Sequence, residues 1–422
     1  MASSPSAKIA AVTSDSSTNP VPTGMRERMP AVGLREYWYP ALLAKKVGTK
    51  RPRELKIVGQ HLVFFRDAEN EVVALARECP HRGAHLSRGA SHFKGTLSCP
   101  YHGWTFDGKG NCLAVLGEGP ESQIPGSRGS QARCYPTKTI KDVVFVWMGT
   151  GTPAPIEEDV PPEFFSDKHM VMTAEQMWNS NWRPSIENFS DAHVYYVHRN
   201  SIEMLTRPTG PLAALIHSGP VRPPVMRVND RSLVYDPKSS TGLTYMGPAA
   251  AGASKVEKQI ERPQQRPFQD TYPALGGKKW PPTRTRLYLS RICGFFRGLL
   301  PSSPPMTETG TEWSTGVHLP CTVRVDYRRL TFTRFEVPVD EGHTNNFYFI
   351  AVRRLNLLNQ LFWRAYITLY YRWKMVSNFS SQDGLMAEIT DYTTPERLTP
   401  SDRFPHEWRR LVVECARTPR NH

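Results

Sequence analysis

The chain has 422 residues, 39% hydrophobic and 22% charged, with 37 prolines and a formal net charge of +14. A mean hydropathy of −0.47 belongs to a soluble globular protein with polar, proline-rich connections, and the length suffices for two domains or one large one. The basic residues are scattered, with no basic run interleaved by aromatics. This argues against a nucleic-acid binder and leaves two readings: an acidic electron carrier steered to a basic face, or a generic solvated surface.

Residues 1–34 read as a disordered tail, because Met1 to Pro30 is rich in Ser, Ala, Thr and Pro and lacks the apolar core of a secretory signal. Ordered sequence opens near Leu34 with Glu36-Tyr37-Trp38-Tyr39-Pro40-Ala41-Leu42. Short alternating runs follow at Leu55–Val58, His61–Arg66 and Val72–Leu75, separated by turn signals at Gly59 and Asp67 to Asn70. They predict strands of a small antiparallel β domain.

Two mixed pairs come next: Cys79-Pro80-His81-Arg82-Gly83 and Cys99-Pro100-Tyr101-His102-Gly103-Trp104, with seventeen residues between His81 and Cys99. Each arm offers one thiolate and one imidazole. Two cysteines on one iron and two histidines on the other form the ligand set of a Rieske [2Fe–2S] centre. A structural zinc site is the alternative, although zinc fingers usually keep both cysteines on one arm and both histidines on the other. His85 is not at a ligand offset and reads as structural, while Tyr101 and Trp104 are expected to pack over the cluster.

Trp104 to Gly110 predicts a strand running into a hairpin turn, and Val143 to Met148 a buried strand closing the domain. Gly149 to Pro162 is a Pro/Gly/acidic linker, so the expected division is 35–155 and 156–422. An iron–sulfur site beside leftover thiols (Cys112, Cys134, Cys293, Cys321 and Cys415) without a disulfide framework implies a reducing, cytoplasmic setting.

In the second half, Met177 to Asn188 leads into a helix carrying histidines, in the segment Glu187-Asn188-Phe189-Ser190-Asp191-Ala192-His193-Val194-Tyr195-Tyr196-Val197-His198. Two histidines and a carboxylate within eight residues suit a 2-His-1-carboxylate iron site with open positions for dioxygen, though such histidines are also common in cores and on surfaces. Residues 203–315, rich in Pro, Gly and Ser, predict long loops over a pocket. Strand signals resume at Thr322–Val325, Leu330–Val337 and Asn346–Val352, and a helical pattern runs from about Leu355 into the 380s. Leu355 to Trp373 is the most apolar stretch, but Asn356, Asn359, Gln360, Arg364 and Arg372 interrupt it, so it is no membrane span. A core helix is the plainer reading, and a helix resting on a membrane surface is the alternative.

With both motifs in view, the chain resembles the Rieske non-haem iron oxygenases, α-only type, over most of 35–155 and at two short motifs beyond. The resemblance implies an α+β chain, with a Rieske β domain followed by a helix-grip catalytic domain, an antiparallel sheet curved around helices. It implies His193, His198 and, from Ser381-Gln382-Asp383-Gly384, Asp383 as ligands of one mononuclear Fe(II), with Glu388 and Asp391 as fallback carboxylates. It makes Asp191 the bridge to a cluster histidine of a neighbouring subunit and places Asn188 near the iron. The segment departs from the family in having one residue, not two, between Asp191 and His193. The implied reaction uses dioxygen and electrons passed from NAD(P)H through a flavin reductase or ferredoxin to oxidise an apolar, ring-containing small molecule in a homotrimer. Monohydroxylation is the first expectation, and demethylation, cis-dihydroxylation and oxidative cyclisation are alternatives. The rival class is an electron-transfer Rieske protein with a vestigial second site.

Overall fold

The computed structural model describes residues 24–190, 197, 198, 201, 225–235, 288, 292, 311–327 and 329–418. Asp191, His193 and nearly all of the 203–315 segment lie outside them.

The first half is built from short antiparallel strands, as the alternation predicted. Strands β2 (Arg53–Ile57), β3 (Gln60–Arg66), β4 (Val72–Ala76) and β8 (Cys134–Tyr135) form one sheet, in that order. Strands β5 (Leu97–Ser98), β6 (Trp104–Phe106) and β7 (Cys112–Val115) form a second. In a third, β1 (Trp38–Leu43) pairs with β10 (Val143–Trp147), which pairs with β9 (Thr137–Ile140). Strand β10 is buried throughout, which explains its unbroken apolar run.

The second half is dominated by one antiparallel sheet of seven strands. Its order is β11 (His169–Trp178), β17 (Thr344–Arg353), β16 (Leu330–Pro338), β15 (Thr322–Asp326), β14 (Gly316–His318), β13 (Ser232–Tyr235) and β12 (Val225–Asn229). One face packs on the first half. Phe164 meets Phe145 at 5.3 Å and Phe349 at 4.8 Å between ring centroids, both edge to face, so one apolar core is continuous across the two halves. The other face receives a long helical run. This begins as α3 (Leu357–Tyr366), passes through π-helical segments Ile367–Tyr371 and Trp373–Ser380, and ends as α4 (Ser381–Ile389). Met170, Phe332, Tyr348 and Ile350 of the sheet pack there against Ile367, Tyr371 and Met375. A helix gripped by a curved antiparallel sheet is the architecture the resemblance implied.

Backbone contacts also cross the seam. The two-residue turn Val58-Gly59 joins β2 to β3 with both residues at positive φ, 48° and 73°. That region is unfavourable for a β-branched residue. The amides of Val58 and Gly59 donate to the carbonyls of Pro338 (2.7 Å) and Val339 (3.0 Å) at the end of β16, so the second half holds the turn in place.

Three elements differ from expectation. The expected disordered tail 1–34 is ordered from residue 24, where α1 (Met25–Arg28) leads into Met29 and Leu34, both buried in the core. Strand β11 was not foreseen, because Thr173, Glu175 and Gln176 break its apolar alternation, yet it pairs with β17 over its full ten residues. The core-helix reading of Leu355–Trp373 fails for its first part: no residue of α3 is buried. Among the described residues no helix is long and apolar enough to cross a membrane.

The second half also contains a buried ion pair. Arg324 of β15 donates to Glu163 (3.1 Å) and to Thr333 (3.2 Å), and both charged side chains are almost fully enclosed. Removing one partner strands the other charge. Arg324→Ala is expected to lower stability by about 3–5 kcal/mol, read as a lower urea midpoint at constant slope. Arg324→Met combined with Glu163→Gln should recover most of the loss.

Candidate functional site

The two Cys–His arms fold into the same turn. In each, the cysteine amide donates to the carbonyl five residues on, Cys79 to Ala84 (2.9 Å) and Cys99 to Trp104 (2.7 Å). In each, the glycine four residues on donates back, Gly83 to Cys79 (2.9 Å) and Gly103 to Cys99 (3.2 Å). Both glycines sit at positive φ, 70° and 73°. The repeated geometry presents both thiols inward and both imidazoles toward the rim. Cys79 and Cys99 are buried, and burial, reinforced by the neighbouring Cys99 thiol, pushes Cys79 up to about 12. The His81 and His102 rings stand 4.7 Å apart, and Trp104 stacks on His81 at 4.9 Å. Trp104 thus packs where it was expected. Tyr101 lies against His102 but is 59% exposed. His85 is exposed.

A dinuclear cluster fits this donor set. Paired thiols on one side and paired imidazoles on the other match the chemistry of a cluster with distinct sulfur and nitrogen ends. The buried Nδ1 of His102 has no hydrogen-bond partner, as a nitrogen reserved for a metal would.

The second site lies where α4 meets the sheet. Helix α2 (Trp182–Glu187) starts at Asn181, whose side chain caps the Arg183 amide at 3.0 Å. It ends at Glu187, which is gripped by Arg409 through both carboxylate oxygens (2.8 and 2.7 Å) and by the Tyr392 hydroxyl (2.9 Å). Arg409 belongs to α5 (Arg403–Cys415). Glu187 therefore anchors this segment, and Asn188 beside it donates to the Asp383 carbonyl at 3.1 Å.

His198 and Asp383, separated by 184 residues of sequence, face each other. Nε2 of His198 lies 3.0 Å from Oδ1 of Asp383. The histidine tautomer follows from its neighbours. The Gln382 amide nitrogen donates to the Asn378 carbonyl (3.1 Å), which leaves Oε1 to accept from His198 Nδ1–H (3.2 Å). Nε2 either holds a second proton toward Asp383, as an imidazolium–carboxylate pair, or, in the neutral ring, offers its lone pair to a cation shared with Asp383 in place of that proton. Two ligands about 2.1 Å from one ion at a right angle would stand about 3 Å apart, so the pair fits a divalent metal. The fallback carboxylates lie elsewhere: Glu388 is exposed, and Asp391 is exposed and engaged with Thr393 and Thr394.

The sequence reading missed Arg334. From β16 it donates to the other Asp383 oxygen at 3.2 Å and, through Nε, to Glu336 at 2.9 Å, with the Trp178 ring 4.7 Å away. Burial would push the Asp383 carboxyl up, but His198 and Arg334 outweigh it and hold it below the usual carboxylate range. Burial pushes Glu336 up to about 7 against the opposing pull of Arg334. Gly384 follows Asp383 because a Cβ there would stand 2.8 Å from the Trp178 ring.

The paired loops give a differential prediction. A Cβ at Gly83 would meet nothing within 4 Å, whereas one at Gly103 would stand 2.6 Å from Leu116 Cβ. Gly83→Ala should cost only backbone strain, about 1–2 kcal/mol, and keep its acid-labile sulfide. Gly103→Ala should lose cluster content in the same assay.

A model of the Rieske [2Fe-2S] domain matches residues 37–131, and a model of the homotrimeric ring hydroxylases matches residues 147–419. The terminal oxygenase component of carbazole 1,9a-dioxygenase from Metapseudomonas resinovorans is 33% identical over 172 residues, 40% of this chain and 44% of that protein. The chain thus spans less than half the length of this curated relative. The solved terminal oxygenase of carbazole 1,9a-dioxygenase from Novosphingobium sp. KA1 shares the fold, with a TM-score of 0.64 at 22% identity over 94% of this chain and 97% of that one. So does an oxygenase solved in its reduced complex with ferredoxin, with a TM-score of 0.63 at 21% identity over 92% of this chain and 90% of that one. Since the ring-hydroxylase model alone spans well over half of the sequence and follows directly on the Rieske match, the chain belongs to the homotrimeric ring hydroxylases.

Proposed function

We propose that the chain is a terminal oxygenase that oxidises an apolar, ring-containing small molecule with dioxygen, its electrons arriving from NAD(P)H through a reductase and a ferredoxin. The observation that carries this reading is the His198–Asp383 pair, with its tautomer set by Gln382 and its second oxygen held by Arg334. An electron carrier needs no such site.

In this reading Cys79, His81, Cys99 and His102 hold the [2Fe-2S] cluster, and His193, His198 and Asp383 hold one Fe(II). When bound, these groups supply one-electron transfer and a place where dioxygen meets substrate. The chain's own residues set the conditions. Gln382 fixes the His198 ring, Arg334 occupies the Asp383 oxygen that faces away from His198, and Asn188 ties the start of α4 to the segment carrying the histidines. Asp191 is the proposed bridge to the cluster of the next subunit in a homotrimer. The halves divide near residue 155, and free thiols beside an iron–sulfur cluster fit a reducing, cytoplasmic setting. Monohydroxylation is the preferred outcome; demethylation, cis-dihydroxylation and cyclisation use the same site.

The test is iron stoichiometry with turnover. The wild type should carry about three irons and two acid-labile sulfides per chain, and it should incorporate labelled oxygen when supplied with NADH, a ferredoxin–reductase pair and a panel of apolar ring compounds. Asp383→Ala should fall to about two irons and lose oxygenation while keeping the Rieske absorption. Full iron and activity in Asp383→Ala would overturn the ligand assignment. A further expectation concerns Asp191→Asn, which should retain its iron yet lose most turnover, because electron transfer rather than metal binding is impaired.

A further inference from the structure

The start of the long helical run is a surface without a partner among the described residues. Ile367 and Tyr371 turn inward onto the sheet. Leu357, Leu358, Leu361, Phe362 and Leu369, with Leu355 just before them, are between 50% and 81% exposed. Leu357, Leu358, Leu361 and Phe362 recur at three and four residues, and Leu369 lies seven beyond Phe362, which places them along one stripe of the helix. From Leu355 to Leu369 the stripe is roughly 20 Å long. Soluble surfaces carry single exposed leucines, but a contiguous run of this kind marks an interaction site.

Two further observations identify what fits it. First, Phe362, Trp363, Tyr366 and Tyr370 form a row of touching rings, 5.5–5.6 Å between successive centroids. Trp363, Tyr366 and Tyr370 are half-buried, and large amphipathic rings of this type favour the boundary between water and hydrocarbon. Second, the charge is of one sign. From His343 to Gln382 the chain has no Asp or Glu, but it has Arg353, Arg354, Arg364, Arg372 and Lys374. Arg354, Arg364 and Arg372 are exposed beside the apolar stripe. An anionic lipid surface meets both the leucines and the arginines.

We propose that the exposed stripe Leu355–Leu369, flanked by Arg354, Arg364 and Arg372, docks the protein onto the surface of an anionic phospholipid bilayer, lying in the interface and not crossing it. The proposal is independent of the catalytic reading.

The experiment is flotation of the full-length holoprotein with unilamellar vesicles of phosphatidylcholine and phosphatidylglycerol at 3:1, against pure phosphatidylcholine. Mass is followed in parallel by sedimentation velocity. The wild type should float with the anionic vesicles, and high salt should weaken this. Leu358→Asp/Leu361→Asp/Leu369→Asp should reduce binding about tenfold or more while keeping the far-UV spectrum and the assembly state. Arg354→Glu/Arg364→Glu, which leaves the leucines in place, should also reduce it. No flotation of the wild type, or equal flotation of the leucine variant, overturns the proposal. So does dissociation of the assembly in the leucine variant, which would assign the stripe to contact between copies.

Discussion

The Asp383 carboxylate is divided between two partners, and the organisation of the second half follows from that division. One oxygen faces His198 Nε2 and the other accepts from Arg334. A bare carboxylate buried this deeply would be costly. Here the guanidinium compensates one side and His198 faces the other. Arg334 in turn needs Glu336, and both need a strand that is buried along its whole length. Arg334 and Glu336 thus fix the position and charge of Asp383 from the middle of the sheet, where the backbone is least free to move.

The seam between the halves serves a similar purpose at longer range. The continuous aromatic core and the clamp on Val58-Gly59 join the Rieske sheets to the seven-stranded sheet. Asp159 adds to it by accepting from the Trp38 amide (2.9 Å) and from Arg417 (2.9 Å), and it also pairs with Arg231. A hinge between these halves would have to break buried charges and apolar contacts together. The first half is therefore carried as a fixed body on the second.

What could be read from the sequence depended on how local the signal was. The cluster arms are legible because each ligand pair and its glycine lie within five residues. The Gln382-Asp383 pair was legible only through resemblance, since nothing near it in sequence marks a buried aspartate. Arg334 was invisible: a cation in an alternating strand reads as a solvent-facing residue, and only the sheet register, together with the helix laid across it, brings it to Asp383. Strand β11 was missed because its polar residues lie on both faces, with Gln176 donating to Ser381 on one and Glu175 pairing with Lys46 on the other. The exposed start of α3 was misread for the opposite reason, because leucines on a helix look the same whether they are bound for the core or for another surface.

The π-helical segments have a geometric consequence for the whole run. Leu369 and Asp383 are 14 residues apart, close to four turns of a regular α-helix, so an uninterrupted α-helix would point both to nearly the same side. In the protein one is outermost and the other is buried. Ile367–Tyr371 and Trp373–Ser380 wind more loosely, with each hydrogen bond reaching one residue further. The accumulated lag in phase turns the end of the run inward. The stretch acts as a twist adaptor: its residue count sets an angle, and a single insertion or deletion there would rotate the carboxylate relative to the outer stripe even if every contacting side chain were kept.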